Sequence, residues 1–175
     1  MLILILLLGG ALGFQSADKP AGKIITVVPA ASVDGKDATV GMPFKENDTL
    51  QTGDAGRLRA QLNDGTGLSL GVKAEVHVMA SAIELKNGRV RVTVATTKRQ
   101  EGSFTIHDRF AEIEIRGGAD LSVDDSSPKE TIVSVSEGKI TATSTDPKNK
   151  ATVQLTPGQW RISQDPEPIR MVTPQ

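Results

Sequence analysis

The sequence is dominated by short runs in which apolar and polar residues alternate, each interrupted by a turn that contains glycine. Five such runs cover residues 61–70, 83–92, 113–123, 133–142 and 153–162. Successive side chains of a β-strand point to opposite faces, so an apolar residue at every second position predicts a strand with one buried face. Val90, Val92 and Val94 show this pattern clearly. The 175-residue chain is therefore predicted to be all-β.

Between the alternating runs lie turn residues that tolerate a positive φ. Four dipeptides hold these positions: Asp64-Gly65, Asn87-Gly88, Glu137-Gly138 and Pro157-Gly158. The first two are strong short-range hairpin signals, and the last two are weaker forms of the same signal. The even spacing of Gly118, Gly138 and Gly158 indicates a recurring strand–turn–strand unit. We predict short antiparallel hairpins that form a roll, a sandwich or a solenoid-like stack around an aliphatic core.

Individual segments follow from the same pattern. We predict three short strands over 103–123, a hairpin over 131–145, a final hairpin over 151–162 and an extended tail over 163–175. Polar and charged residues predict loops between these segments, over 124–129 and 146–150.

Two segments are ambiguous between strand and helix. Leu58 and Leu62 have helical spacing, but their run leads directly into a turn, and this favours a strand over 55–62. Within 73–85 the alternation predicts strands, while 79–82 is also compatible with a helical turn.

Composition excludes some classes of function. The formal net charge is −1, and nucleic-acid binders usually carry a clustered basic excess, so nucleic acid is not an expected partner. The absence of cysteine excludes disulfides, thiol catalysis and thiolate metal sites. With one Trp, no Tyr and 4 Phe, the core must be mainly aliphatic.

The first residues resemble a targeting signal. Residues 1–14 are almost wholly apolar, too few to span a bilayer comfortably as a helix, and they fit the hydrophobic region of a secretory signal. We predict a signal peptide over 1–17, with cleavage after Ala17 or, alternatively, after Gly13; an uncleaved anchor is the other alternative. The predicted division is a signal peptide over 1–17, an all-β domain over 18–162 and a tail over 163–175, in a periplasmic or secreted protein.

Candidate catalytic residues are few. Ser103, His107 and Asp108 supply the residue types of a hydrolase triad, but no nucleophile-elbow or oxyanion-loop signature accompanies them. His77 lies between Val76 and Val78, so it is expected on the face opposite them. We predict no enzyme activity, no catalytic or metal-binding residue and no cofactor.

Two further features have a structural interpretation. The loop Asp64-Gly65-Thr66-Gly67 superficially resembles that of an aspartic protease, but Gly65 separates the acid from the threonine, and a hairpin turn explains all four residues. Trp160 is interpreted as a core residue rather than a stacking platform for sugar.

Charged residues on the strands allow two other interpretations. Asp120, Asp124 and Asp125 carry the oxygen ligands that calcium prefers, although their spacing does not fit an EF-hand loop, and a metal site is not favoured. Arg89 and Arg91 share one strand face; our hypothesis is that they pair across neighbouring strands with two acidic residues, against the alternative of separate solvated faces. The acids proposed for this pairing are Glu112 and Glu114.

Five stretches, taken in order, resemble the FecR-type domain of bacterial extracytoplasmic proteins. They are Gly53-Asp54 with 57–62 and Asp64-Gly65-Thr66, then 85–90, then 104–106 with 111–123, then 133–140, and finally 155–159. They resemble the family's strand followed by Asp-Gly-Ser/Thr, its Leu-x-x-Gly-x-Val strand, its Phe-x-Val segment, its Val-x-Val-x-Glu-Gly-x-Val segment and its closing Leu-x-x-Gly-Gln. The ordered matches cover about residues 40–160.

This resemblance implies an all-β domain outside the cytoplasm. In the best-known members the domain senses an occupied outer-membrane siderophore transporter and relays this to an intracellular sigma factor. Those members also have a cytoplasmic helical region and a membrane span, whereas this chain begins with a signal-like segment. The resemblance thus implies an exported, non-catalytic binding or signalling module whose partner is an envelope protein or a cell-wall component. The alternative is a structural envelope protein that binds peptidoglycan or a surface polymer.

Overall fold

The computed structural model describes residues 19–95, 102–164 and 168–172, so the predicted signal peptide lies outside the described residues. These residues form sixteen β-strands and no helix, which confirms the all-β prediction. The first eight strands are β1 (Gly22–Val28), β2 (Ala31–Val33), β3 (Lys36–Asp37), β4 (Pro43–Phe44), β5 (Thr49–Thr52), β6 (Arg57–Leu62), β7 (Gly67–Leu70) and β8 (Glu75–Met79). The others are β9 (Ala82–Asn87), β10 (Arg89–Val94), β11 (Ser103–His107), β12 (Ala111–Asp124), β13 (Glu130–Ser144), β14 (Thr152–Leu155), β15 (Gly158–Ser163) and β16 (Ile169–Val172).

All of these strands belong to one sheet that curls into a half-barrel. Its main path has the order β3-β2-β5-β8-β9-β11-β12-β10-β7-β6-β1-β4, and β13 to β16 continue from β12. We call β2, β5, β8, β9 and β11 the first half-sheet, and β1, β6, β7 and β10 the second half-sheet. Nearly all pairs are antiparallel, but β9 and β11 are parallel.

The long strands β12 and β13 join the two half-sheets. Residues 112–116 of β12 pair with β11, whereas residues 119–124 pair with β10. β13 follows β12 along both parts, with register shifts between Arg116 and Ala119 and between Asp120 and Leu121. Each long strand therefore contributes to both half-sheets.

Most of the glycine turns singled out in the sequence are corners between parts of the sheet rather than hairpins. Gly88 joins β9 to β10, but β9 pairs with β8 and β11 while β10 pairs with β7 and β12. Gly138 lies inside the continuous strand β13, so the hairpin predicted over 131–145 is wrong. The hairpin predicted over 151–162 is also wrong, because β14 and β15 pair with different parts of β13.

The segment 103–123 holds two strands, not three, because β12 passes through Gly117 without ending. The hairpin predicted over 131–145 and the third strand predicted within 103–123 are wrong for the same physical reason. Gly117 and Gly138 have φ values of 78° and 116°, and a corner needs this freedom as much as a tight turn does.

Two other predictions are confirmed by the strand pairing. β6 and β7 form a hairpin around Asp64-Gly65, and the ambiguous run 55–62 contains the strand β6. The segment 73–85 contains β8 and β9, which are joined by Ala80 and Ser81 without a helical turn. Ser81 takes the positive φ of 56° that this short connection requires.

The core lies inside the curl and is aliphatic, as the composition predicts. In β6 and β10 alternate residues are buried and exposed without exception. Phe44 and Phe104 are the largest of the fully buried side chains, and Leu, Ile and Val supply most of the others. Burying such side chains supplies the main stabilisation of a domain that has no cysteine to form disulfides.

Part of the predicted C-terminal tail belongs to the sheet. β16 pairs antiparallel with β15, from Gln159 opposite Val172 to Ile162 opposite Ile169. The three prolines that indicated an extended tail precede or follow this strand and do not lie in it. Across the described residues, no helix has the length and apolar character that a membrane span requires.

Candidate interaction site

Four arginines project from the outer face of the second half-sheet. Arg57 and Arg59 lie on β6, and Arg89 and Arg91 lie on β10. Strand alternation sets this arrangement, because the residues between them are buried in the core. β7 separates the two strands, and its Ser69 is opposite both Arg59 and Arg91.

An open groove of about 490 Å³ crosses this face; we call it the arginine groove. The groove exists because a short side chain stands between long ones: Ser69 lies on the middle strand, while arginines stand on both sides. Val28 of β1, which is 41% exposed, adds an apolar wall beside Arg57. The polar residues of the lining are Thr26, Arg57, Arg59, Ser69, Arg91, Thr93 and Asp120.

The arginines on β10 are paired with aspartates of β12. Arg91 Nε donates to Asp120 Oδ1 at 2.8 Å, and Arg91 Nη2 donates to Asp120 Oδ2. Arg89 Nε donates to Asp124 Oδ2 at 2.9 Å. The hydrogen bonds from Arg91 hold the pKa of Asp120 below its ordinary value, so this carboxylate stays ionised at neutral pH.

The arginines on β6 have no such partner. Within the described part of the chain no carboxylate lies within ion-pair distance of Arg57 or Arg59, and the Nε of Arg59 reaches only the hydroxyl of Ser69 at 3.4 Å. Of the charged residues that line the groove, three are arginines and one, Asp120, is acidic. The groove therefore has an excess of positive charge on its β6 side.

The predicted partners of the arginines were wrong, although the strands do neighbour each other. Glu112 and Glu114 lie on the other part of β12, opposite His107 and Thr105 of β11. The carboxylate of Glu114 contacts Arg116 at 3.1 Å. The prediction failed because β12 pairs with strands of both half-sheets, and only its second part, residues 119–124, pairs with β10.

The three aspartates considered as calcium ligands do not converge. Asp120 and Asp124 bind arginines, and Asp125 Oδ1 accepts from the hydroxyl of Thr131 at 3.3 Å. In the described ranges no three His, Asp or Glu side chains group in a way that could hold a metal ion.

Two largely buried carboxyl groups flank β12: Asp108 precedes the strand and Asp125 follows it. Asp108 and Asp125 approach the single hydroxyl of Thr131, at 3.4 and 3.3 Å. Asp108 Oδ1 also accepts from the backbone N–H groups of Phe110 and Ala111, at 2.7 and 2.9 Å. Burial raises the pKa of Asp108 to about 6; the two backbone hydrogen bonds oppose this rise, and the charge of Asp125 adds to it.

Asp125 is almost fully buried, and its Oδ2 lies 3.5 Å from Arg109 Nη2. Burial raises the pKa of Asp125, against the opposing effect of Arg109. Sequence reasoning considered both Asp108 and Asp125 but for other roles, because their convergence depends on how the ends of β12 and β13 meet.

The candidate triad is not assembled. Ser103 and His107 lie four residues apart on β11, which separates them by about 13 Å in an extended strand. Asp108 instead contacts the hydroxyl of Thr131 and the backbone N–H of Phe110, in the turn that follows Asp108. His77 is on the face of β8 opposite its two valine neighbours, as predicted, with Glu84 beside it on β9.

The remaining two candidates are structural. Asp64 Oδ1 accepts from the N–H of Thr66 at 2.8 Å, so the loop that resembles an aspartic protease is a hairpin turn. Trp160 is 8% exposed, and its Nε1 donates to the carbonyl of Thr156 at 2.9 Å. Its assignment to the core is confirmed.

Comparison with known families identifies the domain. A model of the FecR protein family matches residues 48–141, more than half of the chain. The chain belongs to the FecR family. The matched region contains β6, β7, β10 and β12, and these are four of the five strands that line the arginine groove.

Solved structures agree with this fold. Two crystal structures of a candidate anti-sigma factor from Parabacteroides distasonis ATCC 8503, at 1.65 and 2.50 Å resolution, are similar to the chain with a TM-score of 0.55 and 18% sequence identity. The similarity covers 70% of this chain and 57% of that chain. No curated protein sequence matches the chain.

Proposed function

We propose that the chain is an exported, non-catalytic FecR domain that works in signalling by binding a partner protein of the cell envelope through the arginine groove. The observation that carries the proposal is the family match over four of the five strands that line the groove. The likeness to a candidate anti-sigma factor supports a regulatory role. Export is proposed from the apolar residues 1–14.

The role in signalling is tested in the native host by deletion of the gene and measurement of transcript levels. We expect a small set of genes to change, and we expect the double variant Arg57→Gln/Arg59→Gln to reproduce the change. A variant with Lys36→Gln and Lys129→Gln, which removes the same charge outside the groove, serves as the control. Unchanged transcripts in the deletion strain would contradict the role in signalling.

Partner binding is tested by site-specific photocross-linking. A photoreactive residue at Ser69, inside the groove, is compared with one at Thr141, whose strand partner Glu114 lies in the other part of β12. We expect a discrete envelope protein to cross-link from Ser69 and not from Thr141. Cross-linking to peptidoglycan sacculi instead would support a structural role in the cell wall, and recovery only from the cytosolic fraction would refute export.

A further inference from the structure

We propose that the arginine groove binds an extended acidic segment of the partner protein, with carboxylates at alternate positions of that segment held by Arg57 and Arg59. This inference rests on the proposed function for the statement that the ligand is a protein. The groove already contains one example of the required contact, because Arg91 binds Asp120 through two nitrogen atoms. A guanidinium group presents the same fork to an incoming carboxylate.

The spacing of the free arginines matches an extended ligand. Arg57 and Arg59 are two residues apart on β6 and point to the same face, about 6.6–7 Å from each other. Side chains i and i+2 of an extended peptide have the same separation and also share a face. Two acidic residues at alternate positions would therefore meet both arginines without a bend in the ligand.

Charges elsewhere on this face disfavour a uniform polyanion. Asp120 lines the groove and stays ionised, and Asp124 lies on the same outer face of β12, beside Arg89. A polyphosphate or an anionic membrane would lie against the neutral pair of Arg91 and Asp120 as well as against Arg57, and only the β6 side of the groove would attract it. A protein segment with isolated acidic residues can place its charges on the β6 side alone. Charge complementarity therefore favours a protein segment.

An apolar contact lies beside the free arginines. Val28 is opposite Arg57 across β1 and β6, and 41% of its surface is exposed. A segment with an aliphatic residue two positions before its first carboxylate presents all three side chains on one face, so that it can cover Val28 while its carboxylates bind the arginines. We therefore use as the probe an acetylated and amidated peptide of sequence Val-Thr-Glu-Thr-Glu-Thr, with Val-Thr-Gln-Thr-Gln-Thr as its uncharged match.

The experiment is a titration of the purified full chain, labelled with ¹⁵N, followed by amide chemical shifts at low salt. We expect saturable shifts at residues of β6, β7 and β10, and at least fivefold weaker binding of the glutamine peptide. The Arg57→Gln/Arg59→Gln variant should lose at least fivefold in affinity, whereas the Lys36→Gln/Lys129→Gln control should not. Added salt should weaken binding, since exposed charges are screened.

Several outcomes would overturn the inference. These are equal binding of both peptides, shifts centred away from the groove, unchanged affinity in the arginine variant, or tighter binding of polyphosphate or of anionic lipid vesicles at the same residues. Circular dichroism of each variant checks that it is folded. If cross-linking from Ser69 recovers a protein but the acidic peptide does not bind, this inference fails while the proposed function stands; if the peptide binds but no protein is recovered, the proposed function fails.

Discussion

Asp108 links the stability of the domain to pH through a single carboxyl group. Its folded pKa of about 6 exceeds the ordinary value of 3.8 because burial disfavours its charged form. Between these two values the folded state holds a proton that the unfolded state releases. The free energy of unfolding therefore falls as pH rises through this window, by up to about 3 kcal/mol at 1.36 kcal/mol per pKa unit.

The Asp108→Asn variant tests this linkage. The amide oxygen can keep the hydrogen bonds from Phe110 and Ala111, and the neutral group carries no cost of ionisation. We expect the variant to be more stable than the native protein at pH 7.5, to approach it near pH 4, and to show a flatter profile between. Urea unfolding at each pH, followed by Trp160 fluorescence, measures this, with exposed Asp37→Asn as the control; parallel profiles of variant and native protein would contradict it.

Substitution of Gly138 by alanine tests whether a corner of the sheet requires glycine. The φ of Gly138 is 116°, and a Cβ atom there would lie 2.8 Å from the Cα of Ala119 on β12. Gly117 has a φ of 78° but no atom within 4 Å of such a Cβ. We expect Gly117→Ala to cost about 1–2 kcal/mol from backbone conformation alone, and Gly138→Ala to cost more. Equal losses in thermal unfolding would show that the contact with Ala119 is unimportant.

At the scale of strands, the sequence predicted which residues of a strand are buried and which are exposed better than it predicted how the strands are connected. The alternation in β6 and β10 placed Leu58 and Val90 inside and the arginines outside, as observed. It could not distinguish a hairpin from a corner, because both need alternation on each side of a residue with positive φ. The difference is decided by distant partners, such as the parallel pairing of β9 with β11.

The same limit applies to the candidate site. Strand parity predicted that Arg89 and Arg91 share a face, and this is confirmed. Strand parity did not predict that Arg89 and Arg91 lie on the same surface as the arginines of β6, because this depends on the strand order β6-β7-β10. Nor could it select Asp120 and Asp124 as their partners over the two glutamates, because the choice depends on which part of β12 meets β10.

The cross-strand pair of Arg89 and Asp124 should stabilise the second half-sheet only modestly. Exposed ion pairs contribute about 0.2–1 kcal/mol, and this pair lies at directly opposed positions of β10 and β12. We expect a double-mutant cycle with Arg89→Ala and Asp124→Ala to give a coupling in that range, reduced by high salt. A coupling of zero at low salt would show that the contact does not contribute to stability.

At the scale of the molecule, the matched FecR region lacks several strands that complete its sheet. Residues 48–141 omit β1, which pairs with β6, and β14 and β15, which cover both parts of β13. Buried residues such as Ile24, Phe44 and Trp160 would be missing from the core. We expect a fragment of 48–141 to lack cooperative thermal unfolding and a fragment of 19–172 to retain it, as judged by circular dichroism; a cooperative transition in the shorter fragment would contradict this.

The passage of β12 and β13 through both half-sheets also determines where amide hydrogens should exchange slowly with solvent. Opening either half-sheet alone requires one part of these strands to separate while the other stays paired. The short rim strands β3, β4 and β16 can open without this. The slowest exchange is therefore expected in a single belt along residues 111–124 and 130–144, with protection decreasing toward the rims.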